Sequence, residues 1–195
     1  MALPVSGPLS INDIVGEFGG TAPHSLSEYY RGGGLVPDSS ININVPTSGT
    51  ISIDNFYGAQ NALWTTTMTA GEFNVSYPYP IYISGYFVDP NLLGGTAIGS
   101  LSDYSVDFFG SPNTCKVIAT EAAGGGNVLY SFKVEGNRNR YSFTSMSANG
   151  HTFNTSSLFS FAYDSGTNTT YWNWLVDAAT YGFFINGQEY VITFL

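Results

Sequence analysis

Fourteen acidic side chains, five basic ones, two histidines and a single cysteine are the charged, imidazole and thiol groups this chain has for acid–base, metal or nucleophilic chemistry. His24 stands just before a serine at a helix-start position and His151 follows a turn, which are structural or exposed settings rather than a His-rich metal cluster. No HExxH, GxSxG or CxxC sequence occurs, so the recognisable zinc and hydrolase signatures are absent. Cys115 cannot make an internal disulfide and reads as a small strand residue rather than a nucleophile. Asp103 and Asp107 in SDYSVDFFG would share one face of a strand, but strand rise sets them roughly 13 Å apart, beyond the separations that glycosidases use. The DSGTNTT stretch, Asp164 to Thr170, has oxygen ligands of the calcium-loop kind without the terminal bidentate acid, and it reads as a hairpin turn. No catalytic, cofactor-binding or metal-binding residue is assigned, no cofactor is expected, and the chain reads as non-enzymatic.

Aromatic side chains are the stronger signal. Tyr77, Tyr79, Tyr82 and Tyr86 crowd the stretch YPYPIYISGYF, and rings exposed on one side would make a sugar-stacking platform or a protein interface. In YWNWL, Trp172 and Trp174 share one strand face and are expected in a core. The NRNR stretch sets Arg138 and Arg140 in the most basic patch, to pair with acids on a neighbouring subunit or to lie in a solvated turn.

What must position these residues is a β-rich chain. Charged residues make up 10% of the sequence against a usual value of about 25%, and Gly, Ser, Thr and Asn fill the gap. Those residues favour turns and strands over helix interiors. A formal charge of -9 leaves no patch to displace counterions from a nucleic-acid backbone. No run nears the roughly 20 apolar residues of a membrane span and no signal-peptide pattern is seen, so synthesis in a cytoplasm is expected and neither nucleic acid nor membrane is expected as a partner. From Ala62 onward, short strands alternate with turn sequences such as AAGGGN, EGNRN and DSGTNTT, with Asn149-Gly150 a hairpin signal. That spacing predicts an all-β fold, a C-terminal β-sandwich or barrel over 61–195.

Residues 1–60 read differently. Ser10-Ile11-Asn12-Asp13-Ile14, Ser25-Leu26-Ser27-Glu28-Tyr29 and Ser52-Ile53-Asp54-Asn55-Phe56 repeat one phrase at uneven spacing. Each looks like a helix start, with serine as N-cap and an acid at or near the third position, and glycines stop each helix within a few turns. Ile41, Ile43 and Val45 alternate with Asn42 and Asn44, which suggests an extended segment able to join a sheet edge. The segment holds too few large apolar side chains to close a core alone, so it is expected to be an extended anchoring arm. Ile11, Ile14, Phe18, Leu26, Tyr29, Tyr30, Ile53, Phe56 and Tyr57 would be its knobs in clefts of neighbouring subunits, three weak attachments on one tether.

The run SGPLSINDIVGEFGG, HSLSEYYRGGGLVPDSS, NVPTSGTISIDNFYGA closely resembles an N-terminal segment of virion structural proteins of tailed bacteriophages, often tail-fibre-like ones, over nearly all of residues 5–60. The remainder is more loosely similar to the β-rich modules of those proteins. It departs from them after Gly99-Ser100-Leu101-Ser102, where a proline is usual and this chain has Asp103. The resemblance implies a non-enzymatic virion component attached at a tail fibre or baseplate, with a capsid decoration (cement) protein or a host-surface carbohydrate-binding module as alternatives. The partners it implies are other virion proteins, further copies of the chain with a trimer as one arrangement, and a host surface glycan in the carbohydrate-binding alternative.

Overall fold

The computed structural model describes residues 3–75, 81–88, 97–106 and 113–195. The chain divides into two compact units, Met1–Trp64 with Leu195, and Thr65–Phe194; the change of composition in the sequence puts the boundary after residue 60.

In the first unit the serine phrases do cap short helical turns. Helix α1 (Ile11–Phe18) starts at Ser10, whose amide donates to Asp13 Oδ2 at 2.8 Å while the Asp13 amide returns to Ser10 Oγ at 3.4 Å. The turns Leu26–Glu28 and Ile53–Phe56 are 3-10 helical, and the amides of Ser25 and Ser52 donate to Glu28 at 3.2 Å and Asn55 at 2.8 Å. A reciprocal cap satisfies amides that a helix of one or two turns otherwise leaves bare.

These turns converge on a core of their own, which corrects the expectation of an extended arm. Leu3, Ile14, Phe18, Tyr29, Val36, Val45, Phe56 and Ala59 are buried in one cluster, with Leu9, Ile11, Val15, Leu26, Leu35, Ile51 and Ile53 packed against it. Phe56 lies at its centre, 6.4 Å from the Phe18 ring and edge-on to Tyr29 at 6.3 Å. The apolar count misleads because each phrase contributes one large ring or branched chain to the same point, and the glycine joints let them meet there. At Gly20, with φ of +121°, an added Cβ would stand 2.8 Å from the Tyr29 hydroxyl, so only glycine permits that approach.

The segment 41–45 is not an extended strand either. Ser40–Asn42 forms a 3-10 turn, Val45 enters the core and Ile43 faces solvent. The buried Asn42 side chain explains it: its amide donates to Pro37 O at 3.1 Å and Gln60 O at 3.0 Å, and its oxygen accepts from the Gln60 amide at 3.0 Å. A side chain that serves two distant backbone stretches outcompetes a local period of two.

The second unit is a sandwich of two antiparallel sheets, in agreement with the all-β reading. One sheet has the order β4-β1-β12-β8-β9, built from β1 (Trp64–Thr69), β4 (Ser100–Leu101), β8 (Ser145–Ala148), β9 (His151–Asn154) and β12 (Glu189–Phe194). The other runs β10-β11-β7-β6-β3-β2, from β2 (Gly71–Val75), β3 (Ile81–Phe87), β6 (Asn113–Gly124), β7 (Asn127–Glu135), β10 (Ser160–Asp164) and β11 (Thr169–Asp177), with the short β5 (Ser105–Val106) on β6. The sequence pattern does not announce strands β4 and β9 or the four-residue helix α2 (Ala178–Tyr181). It does announce the turn between β8 and β9, where Asn149 and Gly150 have φ of 53° and 75°.

Aromatic rings join the sheets. Phe132 on β7 lies 4.5 Å from Phe194 on β12 and stacks on Trp172 at 5.3 Å, and Tyr130 on β7 lies 4.4 Å from Phe153 on β9. Trp172 and Trp174 are buried here, as their shared strand face required. On the opposite face of β3 and β6 a smaller cluster of Ile83, Phe87, Val117 and Ala119 packs with Ile98 and Phe73.

Candidate binding surfaces

The predicted knobs of the N-terminal segment are turned inward. Ile14, Phe18, Tyr29 and Phe56 are buried in that unit's own cluster, and Ile11, Leu26 and Ile53 are half-buried against it. Tyr30 and Tyr57 are half-buried, and their hydroxyls donate to Gly49 O and, at 2.6 Å, to Gly7 O. Tyr29 donates to Gly19 O at 2.8 Å. Ile14, Phe18, Tyr29 and Phe56 cannot fill clefts of a neighbour while they fill their own core, so the knob assignment is corrected for these four. The surface of this unit is instead made by the polar faces of the capped turns, with Val5 and Ile43 exposed.

The candidate chemical groups are placed structurally. Burial pushes the Cys115 thiol far above its ordinary value, away from thiolate chemistry. Asp103 Oδ1 accepts from the Ser105 amide at 2.8 Å, while Asp107 lies outside the described residues. Asp164 accepts from Thr167 Oγ1 at 2.8 Å and the Gly166 amide at 2.9 Å, which hold its carboxyl below the usual carboxylate range and shape the β10–β11 hairpin. His24 Nδ1 lies 3.4 Å from the Tyr29 hydroxyl, and the His151 ring packs on Tyr181 at 4.5 Å. Among the described residues no three His, Cys, Asp or Glu side chains gather as a metal site would need.

Of the four candidate stacking tyrosines, Tyr77 and Tyr79 lie outside the described residues. Tyr86 is buried, donates to Cys115 O at 3.4 Å and has its pKa pushed up to about 12 by desolvation. Tyr82 is half-buried, edge-on to Phe183 at 5.2 Å, with its pKa raised first by desolvation. Neither presents an open ring.

The open rings lie elsewhere. Tyr141 is 69% exposed, Phe159 63%, Tyr104 56% and Tyr163 37%. Three of them border one ledge. The stretch 136–142 crosses the inner face of β11: Thr170 Oγ1 donates to Gly136 O at 2.6 Å, the Arg138 amide donates to Thr170 Oγ1 at 2.9 Å, and Trp172 Nε1 donates to Arg140 O at 3.0 Å. Beyond β11, strand β10 carries Phe161 against Trp172 at 5.4 Å, with Phe159 and Tyr163 two residues to either side. The half-buried Arg140 guanidinium reaches Thr155 O at 3.3 Å and sits 5.6 Å from the Tyr141 ring. Its Nε is buried without a hydrogen-bond partner among the described residues. Alternation in LFSFAYD could have signalled this edge, but nothing local tells a covered strand from a terminal one.

No family model, curated protein or solved structure matches the chain.

Proposed function

We propose that the protein is a non-enzymatic structural component of a tailed-phage virion, its N-terminal unit serving as the attachment module and its sandwich as the outward domain. The observation that carries this reading is that the three serine-capped phrases, which bear the resemblance to phage virion proteins, meet in one core around Phe56. The repeat therefore has a single folding purpose, and the module it builds is the part that resembles those proteins. Attachment then works through the module's polar surface, a rigid body docking as one, rather than through three loose plugs.

Mass spectrometry of gradient-purified particles tests the reading. The protein is expected in a fixed copy number per particle, co-fractionating with tails after particles are split. Recovery with heads instead makes it a capsid decoration protein, and absence from washed particles removes the virion role.

A second reading, a host-glycan-binding module, is favoured by one feature: the exposed Tyr141 ring beside the Arg140 guanidinium. Such a pair stacks on and hydrogen-bonds to sugars. Glycan-array binding by the intact chain that Tyr141→Ala abolishes would support it.

A further inference from the structure

Strand β10 ends the seven-stranded sheet, and its outer edge pairs with no strand among the described residues. Sheet edges in natural proteins are usually guarded by lysine, proline, bulges or brevity, because an open ladder recruits other strands. The other three edges here follow that rule in part: β4 has two residues, β9 has four, and β2 carries Glu72. The β10 edge does not. From Thr155 to Tyr163 the sequence TSSLFSFAY has no charge and no proline. The one acid of the strand, Asp164 at its end, turns its carboxylate into its own hairpin, toward Gly166 and Thr167. Phe159 and Tyr163 stay open to solvent along this edge, on the side where Phe161 meets Trp172.

The charge of the chain narrows the occupant. With a formal charge of -9, two copies repel over most approaches. The only charge on the strand is Asp164 at its end, which antiparallel self-pairing about Ala162 sets opposite the other copy's Ser160, so an acidic protein can meet itself here without like charges face to face, whereas a basic partner would be drawn to the acidic surface instead. The strand is also self-complementary. Run antiparallel to itself about a two-fold axis at its midpoint, Ala162, it sets each Phe161 opposite the other copy's Tyr163 on one face, while on the other face Ala162 meets itself and each Ser160 lies opposite the other copy's Asp164. Cross-strand aromatic pairs stabilise such a ladder, and a two-fold contact closes at two copies.

We propose that β10 is the edge through which a second copy of this chain adds, joining two seven-stranded sheets into one continuous sheet. This stands whether or not the protein belongs to a virion.

The test uses the full chain at micromolar concentration in sedimentation and light scattering. The wild type is expected at twice the single-chain mass of 20.9 kDa. Ala162→Lys is expected to halve the measured mass, because two lysines would face each other across the axis, while Ser100→Lys on the β4 edge leaves it unchanged. The register is read independently by Ala162→Cys, where paired Cβ atoms about 5 Å apart should oxidise to a covalent dimer. The native Cys115 is buried and does not compete. A wild type that stays at single-chain mass overturns the proposal, as does a trimer. So does a dimer that survives Ala162→Lys and shows no cross-link in the Ala162→Cys variant. Should Ala162→Lys misfold by circular dichroism, the cross-linking readout decides alone.

Discussion

The two units reach a buried core by opposite routes. The sandwich closes over ladders of backbone hydrogen bonds, with β6, β7 and β11 paired along most of their length, and rings such as Phe132 and Trp172 fill the space between its sheets. The N-terminal unit has almost no ladder. Its backbone is satisfied by scattered turn and loop bonds and by side chains, Ser10, Ser25 and Asn55 at the caps and Asn42 between distant loops, while one ring, Phe56, gathers the apolar groups. The lesson is that about sixty residues with few large apolar groups can still close a core when polar side chains do the work that a sheet does elsewhere.

Substitutions can break or sharpen this contrast. The largest effect is expected from Trp172→Ala, which removes the ring stacked on Phe132 and the indole bond to Arg140 O. A loss of about 3–5 kcal/mol should appear in denaturant titration, with near-ultraviolet circular dichroism of the sandwich collapsing first. Phe56→Ala should cost about as much per contact but locally: amides of residues 10–60 lose exchange protection while those of β6, β7 and β11 keep theirs. Simultaneous loss in both units would erase the distinction drawn between them. Asn42→Ala should follow at about 1–3 kcal/mol, since it orphans the part-buried Gln60 amide, whereas Asn42→Asp should rescue the acceptor alone.

The smallest effect concerns a cap. The Ser10 hydroxyl and then the Ser10 amide hold the Asp13 carboxyl below its usual pKa. A folded-state pKa lower than the unfolded one contributes stability that is present above the unfolded value, near 3.9, and disappears as pH falls through the folded value. In a carbon-detected NMR titration Asp13 should therefore titrate below an ordinary aspartate, and Ser10→Ala should move it back upward. An unmoved Asp13 in that variant would mean the hydroxyl does not matter to the cap.

Much of the fold could be read directly. The Ser-x-x-acid caps, the Asn149-Gly150 turn, the strand sequences around β6, β7, β10, β11 and β12 and the burial of both tryptophans depend on hydrogen bonds and side-chain alternation within a few residues. The readings that failed needed distant partners. Ile41 to Val45 has the alternation of a strand, and only the approach of Gln60 to Asn42 makes it a turn. Tyr86, read from the sequence as a stacking ring, is buried with its hydroxyl on Cys115 O, whereas Tyr141, which the sequence does not single out, stands exposed.

By itself the amino-acid order indicated the capped turns, the β8–β9 hairpin and the longer strands, because those choices rest on contacts between near neighbours. Tertiary structure alone decided that three capped phrases share one core, which rings face outward, and that TSSLFSFAY lies at a sheet edge rather than inside it. Those outcomes depend on residues tens of positions apart coming together, and no local pattern encodes which pairs will meet.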